Sequence, residues 1–234
     1  MKALRIVIVV ALLIPAVAKS QEMAIPSNFW QIGFGLGELP TGGSFKPSIT
    51  LGYHFNDKIY VGMIYQFKDD ISRNSESINA RSADLDGLAT STESVAQRFL
   101  FQVRYKPIKK GPYLSGGFVF NGKDTETMSF DARERRIGEE TYEGSVVIKQ
   151  TRPAGWGLAL GLGYQYDFNN GFSGGFEWTP AWGQYPSPSY AFGGSSDLSN
   201  SSRKQIQNKM DDEFTQSVTN MYKVFHIGLA YRFQ

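Results

Sequence analysis

The chain of 234 residues combines 25 Gly with 14% aromatic residues, no Cys and a formal net charge of +2, at a mean hydropathy of −0.30. That hydropathy leaves room for no more than one apolar run of about 20 residues, which excludes a polytopic helical membrane protein, and the lack of thiols excludes a disulfide framework, thiolate catalysis and Cys-based zinc sites. Lys and Arg are spread along the chain without a dense basic block, so nucleic acid is not an expected partner.

The first element is a short export signal. Lys2 and Arg5 form a basic start, Ile6 to Val17 an apolar run broken by Pro15, and Ala18-Lys19-Ser20 a small-x-small cleavage site. A dozen apolar residues are too few to span a bilayer as a helix, so residues 1–20 are expected to be a cleaved signal peptide and 21–234 the mature domain.

From residue 29 onward apolar residues recur at every second position, the period of a strand with one apolar face. Trp30 to Leu36, Ile49 to Phe55, Ile59 to Phe67 and Val95 to Tyr105 fit the pattern, with Leu114 to Phe120 weaker. Trp156, Leu158, Leu160, Leu162, Tyr164, Tyr166 and Phe168 then alternate with Gly, Ala, Gln and Asp in one long strand. Phe172 to Trp178 and Lys223 to Phe233 complete a set of eight. Tight turns are expected at Asn56-Asp57, Pro107 to Pro112 and Asn169-Asn170-Gly171. The opposite connections are Glu38 to Ser44 and three long polar segments, about 69–94, 122–154 and 180–220, which their Ser, Asn, Asp, Glu, Arg and Gly content marks as solvated.

Short turns on one side, long loops on the other, even strand number and an export signal predict an all-β fold. The expected form is an eight-stranded antiparallel up-and-down transmembrane β-barrel with short periplasmic turns and long extracellular loops. A soluble barrel or sandwich would expose Lys, Glu, Thr and Ser on its polar face, whereas here that face is largely Gly, Ala, Gln and Arg. Closure follows because no backbone group in lipid can be left unpaired. Eight strands leave a lumen that side chains fill, so a free aqueous pore is not expected. Aromatic residues gather toward the short-turn end (Tyr53, Phe55, Tyr105, Tyr166, Tyr231) and toward the long-loop end (Phe67, Phe99, Phe120, Trp156), as two interfacial belts require.

On these residues the chain resembles the small eight-stranded outer-membrane barrels of Gram-negative bacteria, the group that includes OmpA-like and OmpX-like barrels. The likeness spans about 28–234. The last strand is its most specific part: His226, Gly228, Tyr231 and Phe233 resemble the polar-x-Gly-x-x-aromatic-x-aromatic assembly signal of that group, with Gln234 after the final aromatic. The resemblance implies location in the cell outer membrane, recognition by the barrel-assembly machinery, and contact with outer-membrane lipid and lipopolysaccharide. It fixes place and fold far better than task.

The candidate site is a lumen polar network. Gln66, Arg98, Glu177 and His226 are expected at comparable heights in the upper half, with Arg98 paired to Glu177 because an uncompensated buried charge costs several kcal/mol. Arg104, Asp167 and Arg232 form a second group near the periplasmic end. A gate that opens when the pair breaks is the functional alternative. No catalytic, cofactor or metal residues are assigned. His226 has no hydroxyl two positions away and faces the lumen, His54 lies near a short turn, and Asp84 with Asp86, or Asp211, Asp212 and Glu213, follow no calcium-loop pattern. Gly33, Gly35 and Gly37 lack the strand-to-helix context of a phosphate loop. The loops have the size to recognise something: the first carries a net charge of −4, the run Asp131 to Glu143 can extend the fifth and sixth strands into a protruding sheet edge, and Arg203 to Phe214 suits a short helix or disorder. The expected function is a non-enzymatic scaffold displaying its loops for envelope integrity, adhesion or binding to an extracellular partner. A narrow pore for small solutes and a lipid A-modifying enzyme are the alternatives.

Overall fold

A computed structural model describes residues 28–37, 45–73, 78–108, 111–168, 170–183 and 185–233. The expected signal peptide, the Glu38–Ser44 connection and Gln234 lie outside them. Eight strands close antiparallel on themselves: β1 (Phe29–Leu36), β2 (Pro47–His54), β3 (Ile59–Gln66), β6 (Arg98–Tyr105), β7 (Gly111–Asn121), β12 (Gly155–Asp167), β13 (Phe172–Thr179) and β16 (Val224–Phe233). The first and last strands pair from Trp30↔Phe233 to Leu36↔Ile227, so the sheet has no free edge there. Alternation sets the two faces. Leu158, Leu160 and Trp156 point outward and are about 60% exposed in the isolated chain, whereas Ala159 and Gly157 point inward and are buried. At the short-turn end, Asn56 Oδ1 accepts the amides of Lys58 and Ile59, and Gly171 adopts a φ of 84° that a side chain would strain.

The long connections fold. β4 (Asp69–Arg73), β5 (Leu88–Val95), β8 (Asp124–Phe130), β11 (Val146–Arg152) and β15 (Ser189–Gly193) form a second, five-stranded sheet in the order β15-β11-β8-β5-β4. Four of these continue barrel strands: β3 into β4, β5 into β6, β7 into β8 and β11 into β12. Each junction is a break of two residues, 67–68, 96–97, 122–123 and 153–154. The break shifts the phase of the alternation, which is why Val95, expected on the outward face with Phe99, is buried instead. Two further short strands, β9 (Arg135–Ile137) and β10 (Glu140–Tyr142), pair as a hairpin, and β14 (Ala181–Trp182) pairs with β12. The extension therefore comes from Asp124–Phe130 and Val146–Arg152; within the Asp131 to Glu143 run only the small hairpin is strand.

Helix α1 (Ile78–Ser82) is one turn; α2 (Asn200–Met221) is a 22-residue helix where a short helix or disorder is expected from sequence. It covers the inner face of the second sheet. Ile206 and Met210 of α2 join Met128, Phe130, Val146 and Ile148 in a buried apolar cluster with Leu198 and Ile137. The expectation of solvated loops is thus corrected: sheet and helix form a cap with a core of its own. The loops read as polar because the inward Met128, Phe130 and Ile148 alternate with outward Thr127, Ser129 and Lys149, and α2 carries apolar residues at a four-residue spacing in an otherwise polar run.

Candidate functional site

The lumen is filled in layers, each built by the inward face of the strands. Nearest the short turns, Asp167 of β12 pairs with Arg232 of β16 and lies 3.8 Å from Lys106 Nζ. Gln165 Nε2 donates to Asp167 at 2.7 Å. His54 contacts Gln31 Oε1 at 2.8 Å through Nε2 and stacks on Phe29 at 4.3 Å.

The middle layer centres on Glu177, fully buried. Arg104 Nη2 lies 2.7 Å from its carboxylate, and Gln102 Nε2, the Tyr113 hydroxyl and the Thr179 hydroxyl donate to it at 3.0–3.1 Å. The Arg104 guanidinium is held between the Tyr60 and Tyr113 rings, at 4.6 and 4.9 Å. Those rings have room because glycines lie beneath them: a Cβ at Gly52 or Gly62 would come within 2.3 Å of Tyr60, and one at Gly163 within 2.3 Å of Tyr113. Lumen glycine and lumen tyrosine are therefore one packing device, and together with the outward rings they account for the joint abundance of Gly and aromatics. A space of about 30 Å³ lies beside Gln31, Thr50, Arg104 and His226, room for a single water.

Above this, Ile64, Leu100, Val119, Ala159 and Ala181 form an apolar ring capped by Phe214 of α2 and by Tyr222, the residue after the helix. Tyr222 stacks on Tyr185 at 3.8 Å. In the cap itself Arg152 is buried between Glu93, at 2.6 Å, and Asp124, at 3.7 Å. Burial opposes the charge, but Asp124 and Glu93 outweigh it and hold the guanidinium pKa above its ordinary value.

The structure redistributes the sequence-derived network. Arg98 does not meet Glu177; it donates to the Lys223 carbonyl at 2.7 Å at the rim, and Gln66 donates to the Phe225 carbonyl beside it. Arg104, assigned to the lower group, is the partner of Glu177. Counting positions from the turns assumes level hairpins, whereas the ladder carries the rung of Arg104 through Ser115 to Gly161, whose neighbour is Thr179. Asp167 and Arg232 do meet. His226 finds a hydroxyl that its sequence neighbours lack: Ser48 Oγ lies 2.9 Å from Nδ1. Gly228, Tyr231 and Phe233 lie on β16 with Tyr231 and Phe233 outward. Gln102, Lys106, Tyr60 and Tyr113 were missed, although strand parity places the first three on the lumen face.

A closed eight-stranded barrel with an apolar outer wall matches one family model, the outer membrane protein β-barrel domain, over residues 8–233. The chain belongs to this outer-membrane β-barrel family. Among solved structures it is similar to CarO of Acinetobacter baumannii, at 15% identity and a TM-score of 0.57, covering 92% of this chain and 100% of that one. A major outer membrane protein of Thermus thermophilus matches at 11% identity and a TM-score of 0.40, over 89% of this chain and 100% of that one. No curated protein sequence matches it.

Proposed function

We propose that this outer-membrane barrel is a non-conducting scaffold that displays its folded cap outside the cell, serving envelope integrity or adhesion to an extracellular partner. The observation that carries this reading is the triple closure of the lumen, by Asp167–Arg232, by the Arg104–Glu177 cluster and by the apolar ring under α2. The N-terminal segment 1–20 acts as the export signal, and the barrel-assembly machinery recognises the last strand through His226, Gly228, Tyr231 and Phe233. Lipid and lipopolysaccharide surround the wall.

The reading is also non-enzymatic. Ser48 and His226 have the spacing of an activated hydroxyl, but both are buried, and the space that His226 adjoins is about 30 Å³, too small for a lipid or sugar. Full-length protein in planar bilayers is expected to give no unitary current, and a deletion strain an unchanged set of lipid A masses. Steady single-channel steps would establish the narrow pore instead, and an altered lipid A the enzyme.

A further inference from the structure

The interior of the barrel is out of charge balance. Below the apolar ring, the inward-facing ionised groups among the described residues are Arg104, Lys106 and Arg232 against Glu177 and Asp167. Three cations against two carboxylates leave an excess of one positive charge. Arg104 and Glu177 pair within the middle layer. The excess therefore lies in the layer below, where Asp167 takes Arg232 directly and leaves Lys106 Nζ at 3.8 Å. Asp57 and Lys58, in the turn beneath, are both exposed and cancel. A buried charge without a counterion is costly, and in so narrow a lumen this favours an anion nearby.

The space of about 30 Å³ beside Arg104 lies between these two layers. Gly175 and Gly228, inward-facing neighbours on β13 and β16, leave it unfilled. Its lining contains Arg104 and no carboxylate, and its polar groups are rich in donors. Tyr113 and Gln165 are committed, donating to Glu177 and Asp167. Arg104 Nε and the Ser173 hydroxyl are buried and have no hydrogen-bond partner among the described residues. Thr50 adds a second hydroxyl, and Gln31, whose Oε1 is engaged by His54, adds an amide N–H group. A water there would bring hydrogens of its own and no charge. A monatomic anion accepts from every donor and supplies the missing negative charge. The volume excludes phosphate, sulfate or a carboxylate-bearing solute.

We propose that the lumen holds a halide ion, chloride in the cell, between Arg104 and Ser173, with Thr50 and Gln31 completing its donors. Bound there, the ion ties the middle layer to the lower one. The site depends on the closed lumen, and not on the orientation of the barrel or the role of its cap. Since the apolar ring closes the lumen above and Asp167–Arg232 closes it below, the ion is supplied during folding. Full-length protein is refolded into nonionic detergent in sodium bromide, or in sodium gluconate at equal ionic strength, and then rapidly desalted. Elemental mass spectrometry is expected to find about one bromide per chain. Anomalous scattering at the bromine absorption edge is expected to place it between Arg104 and Ser173.

Two variants separate the site from its electrostatic cause, with heat-dependent gel migration reporting that each barrel closes. T50V/S173A removes two donors of near-equal volume and is expected to retain bromide about tenfold less well. K106Q lies outside the lining and removes the excess charge; it is expected to lower retention by about the same factor. Wild type that retains no bromide, or shows it only at the surface, would mean that the space holds water and would overturn the proposal. Retention unchanged in T50V/S173A would misplace the ion, and retention unchanged in K106Q would remove charge balance as its cause; either result also rejects the site.

Discussion

The barrel and the cap are one wall with opposite chemistry on its two sides. Below the two-residue breaks the outward residues are Leu158, Leu160 and Phe118 and the inward ones Arg104, Gln102 and Glu177; above them the outward residues are Thr125, Thr127 and Lys149 and the inward ones Met128, Phe130 and Ile148. The backbone pairing is antiparallel in both. What changes is the solvent, which decides which face must be apolar. Lipid outside the barrel expels polar groups inward, where a narrow lumen forces them to pair. Water outside the cap reverses the requirement, and α2 supplies the inner layer that a five-stranded open sheet lacks. The two regions therefore depend on different forces, ionic complementarity below and apolar burial above.

The largest effect is expected from breaking the lower region. Glu177→Leu leaves Arg104 buried between two rings with no carboxylate, at a cost of about 3–5 kcal/mol. The double variant R104L/E177L recovers much of that loss, because the expensive species is the orphaned charge and not the missing pair. Thermal migration shifts in detergent measure both. If the single and double variants lose stability equally, the lumen is held by shape and not by charge pairing.

The complementary test breaks the upper region. Met128→Ala opens a cavity under α2 and costs about 2–3 kcal/mol, confined to the cap because its core shares no residue with the lumen clusters. Limited proteolysis is expected to cut the cap while the barrel remains intact and heat-resistant. Simultaneous loss of the barrel would show that the breaks do not insulate the two regions and would remove the contrast between them.

That contrast also explains what the sequence disclosed. Alternation is strict where lipid and a tight lumen both enforce it, so Trp156 to Tyr166 and Phe225 to Phe233 are legible as strands with a known lipid face. It fails at 96–97 and 122–123, because the inward face passes from odd-numbered to even-numbered positions across each break, and Val95 then counts on the wrong side. The Arg104–Glu177 pair was illegible because stagger accumulates across β7 and β12, information held in the ladder and in no single strand. The cap core was hidden by its own design: Met128, Phe130, Val146 and Ile148 are diluted by the hydroxyls on the opposite face. In α2 the apolar Ile206, Met210 and Phe214 are set in a largely polar run, and the sheet residues Met128, Phe130, Val146 and Ile148 that share a core with Ile206 and Met210 lie far back in the sequence. Ser48 beside His226 is likewise a product of closure, which brings β2 and β16 together across β1.

The smallest expected effect concerns the latch between hairpin and helix, and it divides the two regions by pH. Ser199 caps α2, accepting the Ser202 amide at 3.2 Å. Glu140 of β10 accepts the Ser199 and Ser202 hydroxyls at 2.6 and 3.1 Å, together with the Tyr142 hydroxyl, and so places a carboxylate at the helix N-terminus. The Ser199 bond, followed by that from Tyr142, holds the Glu140 carboxyl below the usual carboxylate range. A carboxylate whose pKa is lowered on folding stabilises the fold above its unfolded pKa, about 4.3, and that contribution disappears as pH falls through the lowered folded value. Acidification is therefore expected to reduce hydrogen-exchange protection in the first turn of α2, with the barrel amides as an unaffected internal reference. E140Q, which keeps an acceptor but no titrating group, should show protection independent of pH over the same interval. Because Glu140 is exposed the change is modest and shrinks with added salt; an acid response that persists in E140Q, or that appears first in the barrel, would assign it to another group.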